Sequence, residues 1–263
     1  MKTQWCCVGC RAICRFWANP MDLRVCIKVS DVWTFFKLFH ETRCCCIILG
    51  ETCSLVAVYG PAEVKSAIEL IDRAAVDVVY KPKVGLPSCK DKQTEEILAG
   101  VCDAVAITRL HPRSLLCVVV QEMQDSGSFL ACSINAMCLA MLDAAYPLHS
   151  TFAAVSCIYD GEEQLVLDPT LKQEAACSSR LTFVFESVEK RVVGCYTTGA
   201  CSRSQHKKAL TSCKAASDQI FEFYRESMKK KLQKAVLNLT WVIFHQIISL
   251  KYILPMNLVG AYH

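Results

Sequence analysis

Three things are scarce in this sequence, and each scarcity excludes something. An unbroken apolar run is missing near the start, where Arg11 and Arg15 interrupt any signal-type core. No secretory leader is therefore expected, and the thiols are read as reduced and intracellular. A basic body is missing too. The net charge of +4 comes from the ends: residues 1–50 carry 7 Lys and Arg against 3 Asp and Glu, residues 204–263 carry 9 against 3, and residues 51–203 carry 13 against 19. An autonomous nucleic-acid binder shows a basic body, so any such contact here is local or shared with partners. Charge as a whole is modest, at 21% of residues against 53% hydrophobic. That balance excludes disorder over most of the chain and supplies a core.

Cysteine is present in excess. There are 19, nine of them before residue 54, and an odd number leaves at least one unpaired within the chain. Cys102, Cys117, Cys132 and Cys138 sit inside apolar runs, where a free thiol behaves as a small hydrophobe. Residues 1–47 mix Cys6-Cys7 and Cys44-Cys45-Cys46 with scattered Trp and Arg, without a period of two or 3.6. They form a Cys-rich flank with no assigned fold. Cys7, Cys10 and Cys14 have the spacing of part of a thiolate site, but no second pair stands at finger-like spacing, and no metal or cofactor is assigned.

The centre of the chain is better organised. Leu115–Val120 is a β-branched apolar run that meets a turn signal at Asp125-Ser126-Gly127. Ala131, Ile134, Cys138, Met141 and Leu142 then follow at steps of three and four, which predicts a strand, a turn and a helix with one face against a sheet. Amides exposed at such a turn favour an anion. Before it lie strands at Ser54–Tyr59 and Val76–Tyr80, and a helix over Thr94–Ile107 with Glu95 and Glu96 in its first turn. Lys81, Lys83, Lys90 and Lys92 cluster between them with Gly85, Pro87 and Ser88 in a loop that could hold a phosphate backbone or simply be solvated.

After it, Phe152–Ile158 and Leu165–Leu167 flank a hairpin signal at Asp160-Gly161, whose neighbours Glu162 and Glu163 read as a solvated turn. Leu181–Phe185 and Val192–Tyr196 are further strands. A helix over residues 204–232 places Ala209, Cys213, Ala216, Ile220 and Phe223 on one face, with Lys229, Lys230 and Lys231 closing its last turn. The pattern is an α+β domain, a mixed sheet packed with helices, over residues 48–232. Residues 233–263 form an apolar extension. Val236–Leu254 approaches the length of a membrane span, but Asn238, His245, Gln246 and Lys251 oppose insertion, so membrane contact is not expected.

A set of short phrases runs in order across residues 50–232. They are Gly50-Glu51-Thr52, Val58-Tyr59-Gly60-Pro61-Ala62-Glu63-Val64, Lys81-Pro82-Lys83-Val84-Gly85-Leu86-Pro87, Leu110-His111-Pro112-Arg113, Asp125 to Cys132, Leu167-Asp168-Pro169-Thr170, Lys172-Gln173-Glu174 and Phe223 to Ser227. Together they resemble the RNase PH family, in its branch of noncatalytic ring subunits of the eukaryotic RNA exosome. The resemblance implies a ribosomal-protein-S5-domain-2-like fold and a hetero-oligomer of RNase PH-like ring subunits and cap subunits. It also implies RNA threading the assembled pore toward an associated nuclease, and residence in nucleus, nucleolus and cytoplasm.

Where the chain departs from the family matters as much. The resemblance implies a Gly-Gly-Thr-Arg-Thr-like phosphate-binding turn ahead of the central helix; here Gly127-Ser128-Phe129-Leu130 stands there, and Phe129 offers no guanidinium fork. A second phosphate-binding arginine falls at Gln93. The family's acidic pair falls at Glu174 and Arg180, and an arginine repels the cation such a pair would hold. The family's opening arginine-bearing strand and Gly-Ser-Ala step are not evident in residues 1–47, and the family usually stops near Lys231. The expectation is a chain with no catalytic residue, supporting 3′-to-5′ RNA processing by an associated nuclease, with Lys81, Lys83, Lys90, Lys92 and Arg113 guiding RNA by charge. Two rivals stay open: metal-dependent hydrolysis by Asp125, Asp168 or Glu174, and a tail-anchored binding module.

Overall fold

Strict alternation of buried and half-buried residues over Thr52–Tyr59 gives the first sheet one face in the core. The structure, a computed structural model, describes the backbone of residues 43–49, 51–160 and 164–253, and side chains over 51–160 and 164–233. The first sheet contains β1 (Arg43–Leu49), β2 (Thr52–Glu63), β3 (Ala75–Lys81) and β4 (Ser114–Gln124) in the order β1-β2-β4-β3. β3 runs parallel to β4, and the other pairs are antiparallel. A parallel pair needs a crossover, which is supplied by α1 (Cys89–Val105) and a 3-10 turn at Thr108–Leu110.

The second sheet is antiparallel throughout: β5 (Phe152–Tyr159), β6 (Leu165–Leu167), β7 (Ser179–Glu186) and β8 (Val192–Gly199), in the order β6-β5-β7-β8. Between the sheets in sequence comes α2 (Phe129–Asp143), which packs on β1 and β2 of the first sheet and on β5 of the second. Every residue from Ala131 to Met141 is buried. The helix was expected to hide one face; with a sheet on either side it has no solvent face over these turns. Its polar residues consequently need internal partners. Ser133 shares a hydrogen bond of 3.3 Å with Ser54 of β2. Asn135 clamps Ala154 of β5, donating to its carbonyl at 3.0 Å and accepting from its amide at 2.7 Å.

Several boundaries differ from the sequence reading. β1 begins at Arg43, ahead of the expected domain start at residue 48. α1 begins at Cys89 rather than Thr94, because Ser88 and Asp91 form a reciprocal capping box, so Lys90 and Lys92 ride on its first turn and not in a loop. A short helix, α3 (Leu171–Ala176), separates β6 from β7. The last helix, α4 (Arg203–Ile253), does not stop at Lys229–Lys231. No Gly or Pro interrupts it before Pro255, and three lysines do not break a helix. The boundary expected after residue 232 therefore falls inside one helix. By compactness the chain divides into Met1–Phe221 and Glu222–His263, the second unit holding, among the described residues, the later turns of α4. Ala209, Cys213, Ala216, Ile220 and Phe221 of α4 are buried, while Phe223 is half-buried.

None of the eleven cysteines whose side chains are described forms a disulfide, and Cys102, Cys132, Cys138, Cys157 and Cys213 are buried, with Cys117 half-buried. Cys7, Cys10, Cys14 and the hairpin residues Gly161, Glu162 and Glu163 lie outside the described residues. Among the described residues no helix is long and apolar enough to cross a membrane.

Asp168 follows β6 with a left-handed φ of 48°, and its amide donates to the Ser156 carbonyl at 3.0 Å. The residue as a whole is half-buried, but its Oδ2 is shut off from solvent and has no hydrogen-bond partner. Burial pushes its carboxyl up to about 7.

Two predictions follow from these buried polar groups. Asn135→Ala strips both partners from Ala154 and should lower unfolding stability by about 2–4 kcal/mol, measured in urea. For Asp168, the folded state binds the proton more tightly than the unfolded chain, so stability is greatest below about pH 4 on this count and falls as pH rises toward 7, by up to about 4 kcal/mol. Asp168→Asn should flatten that slope in urea titrations repeated from pH 4.5 to 8; an unchanged slope would assign the pH dependence elsewhere.

Candidate functional site

β4 ends at Gln124 and the chain must turn sharply to enter α2. Asp125 starts the turn by accepting the Gly127 amide at 2.9 Å through Oδ1, an Asx turn. Gly127 has φ of 114°, and a Cβ there would lie 2.4 Å from the Pro169 carbonyl oxygen and 2.7 Å from the Leu171 nitrogen. Only glycine fits so close a backbone crossing. The turn is fastened on two sides. Thr52, the first residue of β2, accepts the Ser126 amide at 3.1 Å and donates to the Gly127 carbonyl at 2.6 Å. The Leu171 amide donates to the Ser126 carbonyl at 2.7 Å.

Ser128 then caps α2 in the left-handed region, with φ of 55°. Its hydroxyl donates to the Pro169 carbonyl at 3.2 Å, so it is turned away from the helix amides. Its own amide, at the positive end of the α2 dipole, donates to Glu174 Oε1 at 2.8 Å. An anion site at a helix N-terminus is thus present, and a carboxylate of the same chain fills it. α3 delivers that carboxylate: Gln173 accepts the Thr170 amide at 2.9 Å, and Glu174 faces back toward α2.

Glu174 Oε2 in turn meets Arg180 Nη2 at 2.9 Å, with the Glu174 side chain 7% exposed and that of Arg180 44% exposed. Burial pushes the Glu174 carboxyl up, while the Ser128 amide and the Arg180 guanidinium pull it back down, and Asp125 nearby adds a further upward push. The two residues at which the resemblance implies an acidic pair form an ion pair with each other. A guanidinium occupies the space in front of a carboxylate that would otherwise be free for a cation.

Phe129, at the first position of α2, is half-buried and sits edge-on to Tyr80 with ring centroids 5.8 Å apart. Tyr80 is held by its neighbours. Its hydroxyl donates to Glu122 at 2.7 Å and its amide to Glu95 at 3.1 Å. Burial and the Glu122 carboxylate push its phenol well above the usual range, so it stays protonated as a donor. Gln93 is exposed on α1. The turn accordingly presents an aromatic packed onto the first sheet where the resemblance implies an arginine.

The structure separates the five cations that were read as RNA guides. Lys81 ends β3 opposite Gln121, Lys83 follows it, and both are exposed. Lys90 and Lys92 are exposed at the start of α1, with Lys92 paired to Glu95 at 2.7 Å. Arg113 precedes the first residue of β4 and pairs with Glu69 at 3.7 Å. At about 3.3 Å per residue, it lies roughly 26 Å along the strand from Gln121, so it does not join the lysines. Of the acids read as hydrolytic candidates, Asp125 holds the turn, Glu174 is paired and Asp168 is shut in. Among the described residues no three His, Cys, Asp or Glu side chains come together as a metal site needs. Thr52, Tyr80 and Glu122 were not foreseen; the one signal for Thr52 was its place in the Gly-Glu-Thr phrase just ahead of a strand.

Comparison with known proteins agrees with this geometry. The sequence matches the 3′ exoribonuclease family, RNase PH, with its domain 1 over residues 42–147 and its domain 2 over residues 150–211. It is 28% identical to the exosome complex exonuclease RRP46 homolog of Arabidopsis thaliana, over 71% of this chain and 85% of that one. It is 33% identical to the putative exosome complex component RRP41 of Caenorhabditis briggsae, over 62% of this chain and 71% of that one. The crystal structure of rice Rrp46 superposes with a TM-score of 0.68 at 28% identity, covering 71% of this chain and 88% of that chain. Two sheets around a buried helix, the Asp-Ser-Gly turn and these matches together make the chain a member of the RNase PH, or 3′ exoribonuclease, family.

Proposed function

We propose that this chain is a phosphorolytically silent ring subunit of an RNA exosome, contributing architecture and a charged surface while an associated nuclease performs 3′-to-5′ degradation. One observation carries the reading: the anion seat at the α2 N-terminus is filled from within by Glu174, and Glu174 is closed off by Arg180. A phosphate nucleophile would have to displace a charge-assisted contact already made within the chain. No side-chain cation is left at position 129 to favour the exchange. Relatives named exosome complex exonuclease RRP46 homolog and putative exosome complex component RRP41 support the assembly part of the proposal.

In this reading the partners are other RNase PH-like ring subunits and the cap subunits, and the compartments are nucleus, nucleolus and cytoplasm. β1 and β3 border the first sheet, and β6 and β8 the second; edge strands of this kind pair readily with neighbouring chains. Lys81, Lys83, Lys90 and Lys92 stand at the end of the first sheet from which the chain enters α2, and they attract RNA by charge without reading bases.

The full-length chain, given RNA and orthophosphate, should release no nucleoside diphosphate, and tagged chain expressed in cells should co-purify with RNase PH-like subunits. Phosphate-dependent diphosphate release by the unaltered chain would count against silence, and absence of such subunits from the eluate would count against assembly. Arg180→Ala should leave Glu174 buried with one donor, costing about 1–2 kcal/mol at pH 7, a figure reduced for the half-exposed guanidinium. Because protonation of Glu174 removes the need for a counter-charge, that loss should shrink near pH 4, as urea unfolding at the two pH values will read out.

A further inference from the structure

Cys195 of β8 lies opposite Phe183 of β7 in register, so the two side chains leave the same face of the second sheet. His206, in the first turn of α4, has its amide on the Ser202 carbonyl at 2.9 Å and its ring edge-on to Phe183, with centroids 5.3 Å apart and planes at 73°. Held between helix and sheet in this way, the imidazole brings Nε2 to 3.6 Å from Cys195 Sγ. The same sulfur meets the Thr197 hydroxyl, two residues along β8, at 3.8 Å.

The buried thiols of the chain are explained as small hydrophobes in the core. That account does not extend to Cys195. Among the described cysteines only Cys89 and Cys195 are exposed, and Cys195 is the one hydrogen-bonded to an imidazole. A nucleophile, a base in reach and a third group that orients the base form the grouping by which a cysteine is activated. In the Nδ1–H tautomer, His206 Nε2 accepts the thiol proton, and the Thr197 hydroxyl donates to the sulfur as negative charge develops there. A metal does not suit the place, because among the described residues no three His, Cys, Asp or Glu side chains come together.

The surrounding charge indicates the reagent. From Val192 to Ser217 the chain has no Asp or Glu, and Arg203, Lys207 and Lys208, all within three residues of His206, are exposed. Such surroundings favour both a negative sulfur and the approach of an anionic electrophile.

We propose that Cys195 is a thiol-modification site, with His206 as its base, and that it reacts with a small anionic disulfide of the glutathione type. Sγ attacks one sulfur of the disulfide; the Sγ–S bond forms and the S–S bond breaks. The departing thiolate takes up the proton that left Sγ through His206 Nε2. One protein thiol and one disulfide give one mixed disulfide and one free thiol, and no other oxidant is needed. The assignment stands on β7, β8 and α4 and does not rest on the ring-subunit reading.

The test incubates the reduced full-length chain with glutathione disulfide, quenches samples with acid and follows the mixed disulfide at each cysteine by peptide mass spectrometry. Cys195 should be modified about tenfold faster than Cys89, the other exposed thiol, and His206→Gln should remove that advantage while leaving the Cys89 rate unchanged. His206→Asn, with unfolding in urea matched to the unaltered chain, serves where His206→Gln disturbs the fold. Equal rates at the two cysteines in the unaltered chain, or a Cys195 rate indifferent to loss of the imidazole, would overturn the proposal. Cystamine, a cationic disulfide, should show a smaller preference for Cys195 over Cys89 than glutathione disulfide does; an equal or larger preference would overturn the assignment to an anionic reagent.

Discussion

The hydrogen bond from the Ser128 amide to Glu174 is the contact on which the site depends. It joins the start of the central helix to the short helix that follows β6, and so ties the two sheets together at the point where an anion would otherwise sit. Gly127 permits the approach, because no side chain could stand between the turn and the backbone at Pro169 to Leu171. Thr52 and the Leu171 amide then hold the turn in the one position from which Ser128 can reach its acceptor. The charge balance is local and complete: a helix dipole, a carboxylate and a guanidinium in series.

That arrangement separates fold from chemistry. A turn shaped for an external anion keeps its shape when an internal carboxylate takes the seat, and Phe129 contributes by resting against Tyr80 rather than by reaching outward. The same backbone can therefore belong to a family of nucleases while its side chains perform a structural task. The remaining positive charge is displaced to the periphery, onto the end of β3, the start of α1 and the early turns of α4. There it is exposed to solvent.

Much of this is legible in the sequence. The β-branched run into Asp125-Ser126-Gly127 announces a strand and a turn, and the apolar run over Ser54–Tyr59 and the Asp160-Gly161 signal place three more strands, because those patterns are set by neighbours in sequence. The rest depends on neighbours in space. α2 read as one-faced since Ser133 and Asn135 look like solvent positions until Ser54 and Ala154 appear beside them. α3 is six residues long, too short to show a period, and the Cys triplet within β1 looked irregular for want of a visible partner strand. Glu174 and Arg180 stand out in the sequence as departures from the family's pattern, but their pairing cannot be read there, because it requires β7 to begin beside α3. Lys90 and Lys92 read as loop residues for the opposite reason, a local composition that hides a capping box.

The full enclosure of α2 bears on how the molecule can come apart. Each sheet takes part of its inner wall from the same helix, so neither can shed that helix without exposing a stripe of small apolar and polar groups with no other cover. Residues 42–147 and 150–211, although distinguishable as two family segments, are accordingly halves of a single cooperative unit. Melting of one exposes the core of the other, and a fragment ending near Pro147 would carry the helix with only half of its lining.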